Sequence, residues 1–205
     1  MNKAYIYLFD DMDSLRDDFV AKNFNKLPLF RQEQCNKYKK ESDKKACILA
    51  YLLLKKGLRE QYNINTPISF RYNEHGKPYL REHPEIFFNI SHCKNGVVCA
   101  FANFEIGIDI QNMRLFNINT ARKICSANEL YQLKKLNAPE ELFCKIWTEK
   151  ESYAKAKGNS VASVFKKDLP KNSFFYIKKS VYYLTLCHNG LINNKDILLF
   201  CERGN

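Results

Sequence analysis

The segment Lys145–Gly158, KIWTEKESYAKAKG, sets the hardest condition on how this chain folds. Wound at about 3.6 residues per turn, it places Trp147, Lys150, Glu151, Ala154, Lys155 and Gly158 on one stripe, in the i, i+3, i+4, i+7, i+8 spacing of a packed face. A dry core does not tolerate a carboxylate and two ammonium groups beside the chain's one tryptophan, because each charge forfeits its hydration. Two arrangements meet the condition. Either Glu151 and Lys155 form a solvated surface pair worth about 0.2–0.5 kcal/mol, or the stripe borders a cleft that holds a charged ligand.

The elements around this helix follow from pattern. Ala4–Phe9 is a short β-rich run, and Asp10, Asp11 and Asp13 after it suit a helix entry. A helical pattern extends from Glu33 to Gln61, with Cys47, Ile48, Tyr51, Leu52, Leu54 and Leu58 on its apolar face and Gly57 as its weak point. Strands are predicted over 66–72, 86–90, 96–102 and 106–110, with the turn-rich NEHGKP at 73–78. Ser126 and Glu129 stand in capping-box register, and Pro139 suits the first turn of the helix that continues to Lys157. Strands over 174–177, 181–187 and 197–201 close the chain. Strand, helices and strands thus occur twice, which predicts an α+β fold of two similar subdomains, residues 1–95 and 96–205. With no low-complexity linker between them, they are expected to pack intimately.

Composition narrows the partners. Thirty-three Lys and Arg against 22 Asp and Glu give +11, which favours an anionic partner: nucleic acid, an acidic membrane surface, a polyphosphate or an acidic protein. The eight cysteines form no CxxC pair and read as free thiols of a reducing cytoplasm, and none of the four histidines is spaced with them like a zinc site. The N-terminus lacks a basic leader and reads as a strand, not a signal peptide. No apolar run approaches the roughly 20 residues of a membrane helix. A cytoplasmic protein without membrane association is expected.

Four groups of residues can carry chemistry. In EIGIDIQ, strand alternation turns Ile106, Ile108 and Ile110 one way and Gly107, Asp109 and Gln111 the other. Asp109 then either ends an edge strand in solvent or, with the Gln111 carbonyl oxygen, holds a hard cation. The stripe of the opening segment offers Glu151 with nearby lysines, the complement that a magnesium diphosphate requires. Ser91, His92 and Lys94 leave a strand in a loop that is either a polar turn or a phosphate contact. Lys37–Lys45 carries five lysines in nine residues, most of them expected on a solvated face.

The ordered set GKP at 76–78, FNISH at 88–92, GIDI at 107–110, SxxE at 126–129 and WTEKESYAKAKG at 147–158 resembles the 4'-phosphopantetheinyl transferases of the surfactin type. The resemblance implies two pseudo-symmetric α/β subdomains with coenzyme A between them, and transfer of its phosphopantetheine to a serine of an apo acyl or peptidyl carrier protein, releasing 3',5'-ADP. It implies Mg²⁺, with Mn²⁺ as the alternative, held by Asp109, Gln111 and Glu151. Glu151 is also the family's base and Lys155 its diphosphate neutraliser. Ser91, His92, Lys77 and Lys150 would contact coenzyme A, with Arg31 and Lys45 near its 3'-phosphate. Many members carry glutamate where this chain has Gln111, so weaker metal binding is expected. Two other readings stand beside it. A non-catalytic coenzyme A or carrier binder is prompted by Gln111. A basic nucleic-acid-binding module explains the charge but leaves Asp109, Glu129 and Glu151 without a role. The transferase reading implies a monomer with no nucleic-acid partner.

Overall fold

Alternation along the first strand, β1 (Ala4–Phe9), organises the molecule. Tyr7 and Phe9 face one core, while Ala4, Ile6 and Leu8 face another. A computed structural model describes residues 2–203; residues 1, 204 and 205, the outer ends of the two expected halves, lie outside them. After β1 come α1 (Phe19–Phe24), α2 (Leu29–Asn36) and α3 (Glu41–Tyr62), then the strands β2 (Phe70–Tyr72), β3 (Pro78–Leu80), β4 (Phe87–His92), β5 (Val97–Ala102) and β6 (Gly107–Asn112). The second half adds α4 (Ile118–Ile124), α5 (Ala127–Lys134), α6 (Glu140–Lys157), β7 (Phe174–Lys178), β8 (Tyr182–Cys187) and β9 (Ile197–Glu202).

The strands form a four-stranded sheet in the order β4-β5-β1-β9, a three-stranded sheet β6-β8-β7 and the small β2-β3 ribbon. Helix α3 covers one face of the larger sheet, where Ile48, Tyr51, Leu54 and Leu58 meet Tyr7, Cys99 and Phe101. The other face packs on the smaller sheet, with Ile6, Leu8, Val98 and Ala100 against Ile106, Ile108, Ile110, Leu184 and Leu186. The isoleucine side of GIDI is therefore the seam between the sheets, and α6 lies across the opposite side, over β6 and β8.

The fold is mixed α+β, as expected, but the division between its halves differs. β5 pairs with β1 and β4, so a boundary at 95/96 cuts a hairpin; the chain changes sheets after Ala102. β9 returns to pair in parallel with β1, which ties the C-terminal segment into the first sheet. The single helix expected over 33–61 is two. Glu41 and Asp43 complement the positive start of α3, and Lys40 before them is extended, so the first part of the lysine run, 37–40, becomes the connection while Lys44 and Lys45 lie in α3. The strand expected over 66–72 shortens to Phe70–Tyr72, after Pro67, which has no N–H to pair. Gly57 is no weak point: the Phe101 ring rests where its Cβ would be. Among the described residues no helix is long and apolar enough to cross a membrane.

Candidate active site

Helix α6 lies close on β6 because the contact is made of small groups. Thr148, Ser152 and Ala156 recur every four residues and are buried, and Thr148 shares a 2.6 Å hydrogen bond with Thr185 of β8. Opposite them is Gly107. A Cβ there would collide with the Ser152 carbonyl oxygen and the Ala156 nitrogen, so glycine is what lets the helix backbone reach the strand. Two residues on, Asp109 meets the helix side chains. Its Oδ1 accepts from Lys155 Nζ at 2.6 Å and from Ser91 Oγ at 2.7 Å, and Lys155 Nζ also donates to Ser91 Oγ at 3.1 Å.

Ser91 arrives from the other sheet. Strands β4 and β6 lie side by side without ladder pairing, and alternate β4 side chains make the join instead. Asn89 Oδ1 accepts from Ile108 N at 2.8 Å and Ser91 Oγ from Ile110 N at 3.3 Å. Glu151 sits one turn before Lys155. Burial raises its carboxyl above the ordinary range; the Lys155 ammonium opposes this and the Asp109 carboxylate adds to it. Asp109 Oδ2 is buried with no hydrogen-bond partner. A buried carboxylate oxygen so left is costly unless a donor or cation meets it. Two acids, one of them with an orphaned oxygen, fit a hard divalent ion. Among the described residues no group of three His, Cys, Asp or Glu side chains stands ready for a metal.

The remaining expected residues divide. His92 and Lys45 line a cleft of about 870 Å³ between the start of α3 and the β4–β5 turn, together with Lys94 and Arg114. Lys45 Nζ also donates to Leu15 O at 2.9 Å. Arg31 lies in a separate pocket of about 140 Å³ with Tyr51, Phe70 and Gly76, and its Nη2 donates to Cys47 O at 2.9 Å. Three positions do not behave as expected. Lys150 is turned away from the site, fully buried, with Nζ 3.0 Å from Glu129 Oε2 and 2.6 Å from Lys167 O. One residue before Glu151 means about 100° around the helix, which carries it from β6 to α5. Lys77 is buried with Nζ on Ala156 O at 2.9 Å and Ile106 O at 3.4 Å, and burial holds its amine down to about 8 despite Glu105. It ties the end of α6 to β6 and is not free along a nucleotide. Gln111 turns the end of its amide to Arg114, whose Nε and Nη2 approach one terminal atom at 2.7 and 2.8 Å; facing two donors, that atom is assigned as the oxygen.

The Lys150 contact completes a network. Ser126 Oγ accepts from Glu129 N at 3.1 Å, Glu129 Oε2 accepts from Ser126 N at 2.7 Å, and Ser126 Oγ donates to Asp168 at 2.6 Å. The expected capping box is present, and its glutamate doubles as the partner of a buried lysine. Sequence reasoning missed Asn89 and Arg114. Asn89 had a signal, since it stands two residues before Ser91 on the same strand face. Arg114 had none, because its contact depends on where β6 ends.

Comparison with known proteins agrees with this geometry. The model of the 4'-phosphopantetheinyl transferase superfamily matches residues 105–195, and that of the 4'-phosphopantetheinyl transferase N-terminal region matches 16–103, with the change falling where the chain switches sheets. The chain is 34% identical over 177 residues to 4'-phosphopantetheinyl transferase gsp of Aneurinibacillus migulanus, covering 85% of this chain and 70% of that protein. It is 30% identical over 147 residues to 4'-phosphopantetheinyl transferase Sfp of Bacillus subtilis (strain 168), covering 70% and 63%, so it spans about two thirds of the length of such relatives. With both halves matched and the helix of charged residues set against GIDI, the chain belongs to the 4'-phosphopantetheinyl transferase superfamily.

Proposed function

We propose that this protein transfers phosphopantetheine from coenzyme A to the serine of an apo carrier protein, in the presence of Mg²⁺ or Mn²⁺. The observation that carries the reading is the knot of Asp109, Lys155 and Ser91 beside Glu151, with Asp109 Oδ2 buried and unsatisfied. Asp109 and Glu151 would hold the ion, which when bound neutralises diphosphate charge. Lys155, already seated between the strand and the helix, meets the charge that grows on the leaving phosphate. Glu151 takes the serine proton as its oxygen bonds to the phosphorus attached to pantetheine. The bond from that phosphorus to the bridging oxygen breaks, and 3',5'-ADP leaves. Ser91 and His92 lie along the phosphates, and Lys45 at the cleft wall and Arg31 in its own pocket are the candidates for the 3'-phosphate.

The carrier belongs to a fatty-acid, polyketide or peptide-synthetase system. Such domains are mostly acidic around their serine, which the +11 charge complements. We place the protein in the cytoplasm as a monomer that binds neither membrane nor nucleic acid. Chromatography of the nucleotide product tests the reading: 3',5'-ADP should appear from coenzyme A only when an apo carrier is present. Release without a carrier, or none with one, contradicts it.

A further inference from the structure

Gln111 and Arg114 form a pair that the proposed reaction does not explain. Two guanidinium N–H groups approach one terminal atom of the Gln111 amide at 2.7 and 2.8 Å, and only the oxygen can accept them. The other amide terminus is then an NH₂, a donor, which cannot ligate a cation. The guanidinium stays charged at any working pH. Of the three positions expected to hold the ion, Asp109 is therefore already paired with Lys155, position 111 is engaged by Arg114, and Glu151 is the other carboxylate. Asp109 Oδ1 is already engaged by Lys155 and Ser91, which leaves Oδ2 as that residue's free oxygen. A site with so few free oxygens has little to offer an ion that takes about six.

We propose that Arg114 sets the cation affinity of this site. By occupying the acceptor of Gln111 it limits the ion to two protein carboxylates, so that the ion binds together with the diphosphate and is not held by the free protein. The inference rests on the proposed function for the identity of the diphosphate. Arg114 is well placed for this, lining both the cleft of His92 and Lys94 and a second cavity of about 260 Å³ bordered by Gln111, Phe143 and Trp147.

Trp147 provides the readout. In a Mn²⁺ titration followed by tryptophan fluorescence, the wild type should bind Mn²⁺ at least about tenfold more tightly with coenzyme A present than without it. Gln111→Glu alone should change the coenzyme A-free titration little, because the new carboxylate pairs with Arg114. Gln111→Glu combined with Arg114→Ala should tighten it about tenfold or more. Arg114 is exposed, so its truncation leaves the core intact. Equal tightening by Gln111→Glu alone, a double variant like the wild type, or wild-type affinity indifferent to coenzyme A would each overturn the inference. Carrier modification measured on the same preparations separates the claims. Transfer without graded Mn²⁺ binding removes the role of Arg114 alone, whereas graded binding without transfer removes the reaction and leaves that role standing.

Discussion

Two lysines expected at the ligand are buried in contacts of their own, and each makes a different prediction. Lys150 is an ammonium with no exposed surface, held by Glu129 and the Lys167 carbonyl. Removing one member of a buried pair strands the other and typically costs about 3–5 kcal/mol. Lys150→Met should lower the stability measured by urea denaturation by that order, while Glu129→Met combined with Lys150→Met recovers much of it. The folded fraction should bind coenzyme A with wild-type affinity; a selective loss of that affinity would return Lys150 to the site. Lys77 is a matter of pH. Its amine titrates near 8 in the folded protein against an ordinary value of 10.5, so between these the unfolded chain binds more protons. Stability contributed by Lys77 is thus lowest below about pH 8 and grows as the pH rises toward 10.5. Relative to Lys77→Met, the wild type should gain about 2 kcal/mol between pH 7 and 9.5. A difference that stays flat would mean that Lys77 is not buried as a charged group.

Among the elements, the contact of α6 with β6 positions the chemistry, and Gly107 governs it. Gly107→Ala puts a methyl group into helix backbone, so either the helix lifts or the strand shifts, at a cost of about 1–3 kcal/mol. Transfer should fall by more than about tenfold in the protein that remains folded, since a misplacement of about 1 Å can cost a hundredfold. Near-normal turnover would show that the helix does not need this approach. This contact also marks what the sequence could and could not tell. Alternation in GIDI put Asp109 opposite the isoleucines, and helical spacing put Glu151 and Lys155 together, so the two halves of the site were legible separately. That Lys150 leaves the stripe was not, because a stripe drawn on a helix with neighbours on several sides does not say which neighbour each residue meets. The short β3 and α4 lack a periodic signal of their own and depend on tertiary packing.

On the scale of the whole molecule, the site is a join between sheets. Ser91 belongs to a sheet that β9 completes from the far end of the chain, while Asp109 belongs to the other. The two-subdomain pattern was visible from element order, but the hairpin that crosses the expected boundary and the return of β9 were not, because strand pairing at such separation leaves no local mark. We infer that this join performs group transfer onto a carrier. The most direct test is the intact mass of an apo acyl carrier protein after incubation with the protein, coenzyme A and Mg²⁺, beside a chelator control and the Asp109→Asn variant. A gain of one phosphopantetheine is expected, lost with the chelator and reduced at least about a hundredfold in rate by the variant. An unchanged mass across apo carriers of fatty-acid and peptide-synthetase systems, with coenzyme A binding intact, would contradict it.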